Sequence, residues 1–294
     1  MPEPSLSSSG SAHLIHDAEA LGAGLPALLV DAERLASAVS LGVHGRRKTG
    51  MGESFWQFRR YRPEDSSSAI DWRQSAKSQH LFVREREWEA AQSVWFWCDG
   101  SPGMRFASGK VTKMERARIL ALALASLLVR GGERVALYGE PYAPANSRVA
   151  LRRIAHVLGD DAPRPEALPP EAPISNNAQL VWFSDFLSPV AEIEATMRRL
   201  AHWAVTGQIV HVIDPAEEDF PFEGRTRFED PRGSLNETIG RAETVAGAYR
   251  ARFKAHTETV GALARRLGWS YIAHRTDKPP QTALIALYAD MSGA

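Results

Sequence analysis

The chain of 294 residues carries 35 basic against 35 acidic side chains, a formal net charge of +0, with 44% hydrophobic and 24% charged residues. This balance excludes a wholly disordered chain and leaves no electrostatic footprint for nucleic acid or an anionic membrane surface. A single cysteine, Cys98, excludes an internal disulfide framework and a cysteine-rich metal cage, and fits a reducing, cytoplasmic setting.

Residues 1–12 read as a flexible tail; Met1–His16 lacks the basic and apolar runs of a secretory signal, and His13 and His16 read as tail noise rather than a metal site. No run reaches the roughly 18 apolar residues of a spanning helix. A first unit is expected over 13–90. It opens with an amphipathic helix over Leu25–Leu41, where Leu28, Leu29, Leu35, Ala36 and Val39 fall at helical spacing. Gly42–Glu89 follows, dense in arginine, aromatics and turn residues. Bidentate pairs of Asp65 or Asp71 with Arg59, Arg62 or Arg73 would stiffen that segment, with Phe55, Tyr61 and Trp72 as apolar anchors. The alternative is that Arg59, Arg60 and Arg73 face a protein partner or a phosphate.

From Ser93 the pattern turns to strand–helix alternation over a second unit, 91–294. Val94–Cys98 is a continuous apolar run of the kind buried on both faces of a parallel sheet. Lys110–Arg130 reads as a helix stopped by Gly131-Gly132, Val135–Tyr138 as a strand and Val149–Leu158 as a short helix. A proline-rich connector spans Ala162–Pro173. Then come a strand over Gln179–Phe183, a helix over Val190–Trp203, a strand over Gln208–Ile213 and a polar excursion over Ala216–Arg232. A long helix over Leu235–Leu267, a strand over Trp269–Ala273 and a helix over Thr282–Met291 complete the chain. The fold class this predicts is α/β, a doubly wound and mostly parallel sheet preceded by the smaller arginine- and aromatic-rich segment.

In such sheets ligands sit outside the carboxyl ends of the strands. Three strands end there in an aspartate: Asp99, Asp185 and Asp214. Asp99-Gly100-Ser101-Pro102-Gly103 is the sharpest motif, because an aspartate and a hydroxyl at alternate positions of a tight loop can aim oxygens at one hard cation such as magnesium. Taken alone, Asp99 and Ser101 equally well cap the next turn. Cys98 reads as a core thiol.

This strand, loop and helix resemble the von Willebrand factor A fold, whose metal-ion-dependent adhesion site uses Asp-x-Ser-x-Ser, a threonine and a late aspartate. The resemblance implies Asp99, Ser101 and Asp185 as metal ligands, yet Gly103 stands where the second serine belongs and no matching threonine is found, so the site is degenerate. A longer likeness runs through Gly50–Phe55, Arg59–Asp65, Ile70–Ala76 and Leu81–Glu85, and resumes at His211–Glu217, Phe220–Phe222 and Tyr249–His256. These stretches are similar to the domain of unknown function 58 family, with Glu64 at a position where that family has glycine. The resemblance implies a von Willebrand factor A-like domain working beside a MoxR-type AAA+ ATPase, here in a short form without membrane helices.

The expected function is a non-catalytic protein-binding module, acting with such an ATPase on a client complex, with Asp214 and the three arginines Arg59, Arg60 and Arg73 at the partner surface. The alternative is a divalent-metal-dependent hydrolase built on the strand-edge aspartates. It is disfavoured because no nucleophile–base pair is placed by the sequence. Nucleic-acid binding through the basic segment ranks last.

Overall fold

A computed structural model describes residues 48–50, 54–62, 70–78, 80–88, 92–160, 166–231 and 236–292. The expected tail, the Leu25–Leu41 helix, Glu64 and Asp65 lie outside the described residues. Two units emerge, Ser37–Gln92 and one that contains Ser93–Ala294.

The smaller unit holds a three-stranded antiparallel sheet of order β1-β3-β2, from β1 (Lys48–Gly50), β2 (Ser54–Arg60) and β3 (Phe82–Trp88). Density of arginine suggested loops here. The aromatic residues of β2 and the aromatic and β-branched ends of β3 suit a pleated strand, and cross-strand pairing decides the outcome. A single turn, α1 (Trp72–Ser75), is capped by Asp71, whose Oδ1 accepts from the Gln74 amide at 2.9 Å. Ser75 ties this turn to β3: its hydroxyl donates to the Asp71 carbonyl at 2.8 Å and accepts from the Phe82 amide at 2.9 Å.

The larger unit is built on five parallel strands in the order β10-β7-β6-β4-β5. They are β4 (Ser93–Cys98), β5 (Arg134–Leu137), β6 (Gln179–Ser184), β7 (Thr206–Ile213) and β10 (Ser270–Arg275). In β4, Val94 and Phe96 point into one core and Trp95 into the other, so the apolar run serves two faces at once. The first face is covered by α2 (Lys113–Arg130), α3 (Arg148–Gly159) and α7 (Pro280–Ser292). On the second face lie α4 (Val190–His202) and α6 (Ala246–Arg266). Helix α2 is apolar nearly all round because it lies on the sheet between two other helices, and from Leu120 to Leu128 every residue is buried.

Helix α2 starts at Lys113 rather than Lys110. Thr112 accepts from the Glu115 amide at 3.0 Å while Glu115 returns a bond to the Thr112 amide at 2.7 Å, a reciprocal cap that fixes the boundary. The long helix expected over Leu235–Leu267 is shorter, Ala246–Arg266. Asn236–Ile239 is instead strand β9, paired antiparallel with β8 (Thr226–Glu229), with Gly240 and a tight turn at Ala242–Thr244 between. The expected polar excursion also holds α5 (Pro215–Asp219).

Chain order explains where a ligand would go. From the first strand of the sheet, β4, the chain moves outward to β5, then returns to β6 on the other side of β4 and proceeds outward to β7 and β10. The reversal opens a crevice between the carboxyl ends of β4 and β6, a topological switch point.

Candidate functional site at the carboxyl edge of the sheet

Strand register brings the three expected aspartates to that edge. Cys98 pairs with Phe183, Ser184 pairs with His211, and the Asp99 amide donates to the Phe183 carbonyl at 2.9 Å. Asp99 and Asp185 therefore flank the crevice, with Asp214 one strand further on.

Asp99 is buried and fully engaged. Its Oδ1 accepts from the Ser101 amide at 2.8 Å and its Oδ2 from the Ser184 hydroxyl at 2.7 Å. Burial first, and then the Asp185 charge, push its carboxyl up to about 6, against the pull of the serine hydrogen bonds. Asp185 lies across the crevice. Its Oδ1 accepts from the Leu187 amide at 3.2 Å, and its Oδ2 accepts from Lys113 Nζ at 2.9 Å.

Lys113 was not among the residues singled out in the sequence, yet it organises the site. It is the first residue of α2, has no exposed surface, and donates a second bond to Glu217 Oε1. Burial alone would pull the ammonium down; the Asp185 and Glu217 carboxylates outweigh it and hold Lys113 above the ordinary lysine value, so it stays charged. A lysine here also opposes the helix dipole, which favours anions at this end. A cation in the first turn of a buried helix was the available signal.

Glu217 is held by the cap of α5. Its Oε2 accepts from the Asp214 amide at 3.0 Å, while Asp214 Oδ1 accepts from the Ala216 amide at 2.9 Å. Asp214 Oδ2 takes the Ser108 amide at 2.8 Å. With 0% exposure, Asp214 has no surface to offer a partner; the expected role gives way to a capping role. Arg59 and Arg60 lie at the end of β2 and Arg73 in α1, all in the smaller unit; Arg60 and Arg73 are exposed.

Does a magnesium ion fit these residues? Both Asp99 oxygens and both Asp185 oxygens already accept hydrogen bonds, one of them from an ammonium. Gly103 brings no hydroxyl, and a Cβ built there would sit 2.9 Å from Asp185 Oδ2. Among the described residues no group of three His, Cys, Asp or Glu side chains is arranged to hold a metal. The expected ligand set Asp99, Ser101 and Asp185 does not fit a divalent cation. The absent serine and the buried lysine fit each other: Lys113 holds Asp185 Oδ2 where a side chain at position 103 would press on it.

Above this floor opens a cleft of about 390 Å³. Lys113, Asp185 and Glu217 line its base, while Phe106, Leu187, Phe222, Phe228 and Tyr249 form its sides. The wall made by α5, β8 and the start of α6 has its own small core, with Phe220 stacked 5.6 Å from Phe228 and tilted against Tyr249 at 4.6 Å. Beneath the edge, His211 is buried and shares a 2.6 Å hydrogen bond between Nδ1 and the Tyr271 hydroxyl. His256 Nε2 meets the Phe186 carbonyl at 2.6 Å, which steadies the loop carrying Asp185.

No helix among the described residues is long and apolar enough to cross a membrane. Residues 57–261 match the model of a family described as "Protein of unknown function DUF58". The chain is 26% identical over 277 residues to uncharacterized protein Rv1480 of Mycobacterium tuberculosis and to uncharacterized protein Mb1516 of Mycobacterium bovis, spanning 88% of this chain and 86% of each relative. Among solved structures it is similar to the conserved hypothetical protein BatB from Bacteroides thetaiotaomicron, with 12% identity and a TM-score of 0.41. A second is an aerotolerance-related membrane protein from Bacteroides fragilis, with 13% identity and a TM-score of 0.42. Each of these covers 69% of this chain and 100% of that one.

Proposed function

The chain belongs to the DUF58 family of proteins of unknown function, and on that footing we propose that it is a non-catalytic binding module of the von Willebrand factor A type that engages a protein partner through the carboxyl edge of its sheet without a divalent cation. The carrying observation is Lys113, whose buried ammonium joins Asp185 to Glu217 and so supplies, from within the chain, a positive charge against one of the carboxylates implied as an ion ligand.

This arrangement suits binding better than turnover. Asp99 and Asp214 each have both carboxylate oxygens hydrogen-bonded, so neither is placed as a free base beside a reacting atom. What faces outward is an aromatic-sided cleft on a rigid floor, at the place in a doubly wound sheet where ligands are received. The partner we infer is a MoxR-type AAA+ ATPase, acting with this chain in the assembly or remodelling of a client complex. That partner comes from the family resemblance.

Retention of a MoxR-type ATPase from the same organism on the immobilised chain tests the reading, in the absence of nucleotide, with magnesium and again after chelation. Equal retention under both conditions is expected. No retention under either removes the partner, and retention confined to the magnesium arm removes the cation-free edge.

A further inference from the structure

The cleft above Lys113 has a chemical character that goes further than a generic binding edge. We propose that it receives an arginine side chain from the protein partner. This rests on the reading of the edge as a partner-binding surface and adds the chemistry of recognition.

Charge comes first. Among the described residues four carboxylates line the cleft, Asp185, Glu217, Glu229 and Asp230, with Lys113 the one cation beside them. That ammonium is already joined to Asp185 and Glu217 at the base. Glu229 has a companion in Arg227 at 3.0 Å, but both side chains are more than 60% exposed, so the pair is weak and open to exchange. Two carboxylates against one ammonium leave the base of the cleft with surplus negative charge, and an incoming carboxylate would be repelled where a cation is drawn in.

The walls decide which cation. Tyr249 is 36% exposed, Phe106 37% and Leu187 49%, and all three border the cleft. Apolar surface of this extent beside carboxylates suits a flat, weakly hydrated guanidinium, which stacks on a ring with its face while donating to oxygens from its rim. A compact ammonium holds its water more tightly and gains less from such walls. The volume, about 390 Å³, accommodates one long side chain with part of its backbone.

The test uses blocked tripeptides Gly-X-Gly with arginine, citrulline, lysine or glutamate at X, titrated into the full chain and followed by NMR. Citrulline has the shape of arginine without the charge. The arginine peptide is expected to bind roughly tenfold more tightly than the citrulline peptide, the ratio that one cation–π contact with one charge-assisted bond supplies. Glu229→Gln, at a largely exposed position, should weaken the arginine peptide several-fold while leaving the melting temperature near that of the native chain. Tyr249→Ala should weaken it as much and also lower the melting temperature, because the ring packs against Phe220 and Phe253. Equal binding of arginine and citrulline, preference for glutamate, or indifference to both substitutions overturns the proposal. If the ATPase is retained but no arginine peptide binds, the arginine cleft falls and the partner reading stands; selective arginine binding without ATPase retention leaves the cleft and removes that partner.

Discussion

Lys113 sits at a position that ought to be unfavourable three times over: buried, cationic and at the positive end of a helix. Its two carboxylate partners offset those costs, and the converse also holds, because Asp185 and Glu217 would be buried like charges without it. Breaking such a group by removing one member costs more than the group contributes when intact. Lys113→Ala should therefore lower unfolding stability by about 3–5 kcal/mol, measured by urea denaturation. The same substitution removes the internal cation, so millimolar magnesium or manganese should raise the melting temperature of the variant and leave the native chain unmoved. A native chain stabilised by the metal to the same degree would contradict the assignment of Lys113 to that role.

At the scale of elements, the register of β7 with its neighbours is set by a close approach as well as by hydrogen bonds. Gly207 lies under Trp269, the residue that leads into β10, and a Cβ at 207 would come within 2.0 Å of the buried indole ring. No rotamer change of a ring 3% exposed can relieve that overlap without shifting β10. Gly207→Ala is expected to destabilise at or beyond the upper end of the roughly 1–3 kcal/mol usual for overpacking, visible as a lower urea midpoint at unchanged slope. Strands β4, β6 and β7 were legible because buried parallel strands write themselves as apolar runs, and the aspartates that follow them were legible as an edge. Strand β9 was hidden: Asn236–Ile239 follows helix-like spacing into Ala246, and only its pairing with β8 makes it a strand. The same limit hid the floor of the site. Lys113 meets Asp185 and Glu217 across 72 and 104 positions, a distance at which no local periodicity carries a signal. Gly103 was readable as a missing donor, but its fit against Asp185 Oδ2 exists only once the strands are side by side.

The whole molecule carries these buried groups into its response to acid. Burial, ahead of the neighbouring charges, lowers His211 to about 4 and His274 to about 4, from 6.5. As pH falls through 6.5 the unfolded chain takes up protons on both rings while the folded chain does not, so their contribution is full above 6.5 and is lost towards 4. Asp99 runs the other way. Its folded value of about 6 lies above 3.8, so its contribution is fully present below 3.8 and lost as pH rises through 6. Between these limits two imidazoles act against one carboxyl, and stability set by the three declines on acidification with a slope of about 1.4 kcal/mol per pH unit. Asp99→Asn removes the counterweight while keeping an acceptor for the Ser101 amide and a polar contact for Ser184. Groups common to both chains cancel in the difference. The unfolding free energy of the variant minus that of the native chain should therefore rise by about 2.4 kcal/mol between pH 4 and pH 7, and most steeply near pH 5, midway between the folded and unfolded values, if urea denaturation is followed across the range. A difference that stays flat would mean that Asp99 titrates in the folded chain as it does in the unfolded one. The hydrogen-bonded, buried carboxyl described at the strand edge would then be the wrong account of the site.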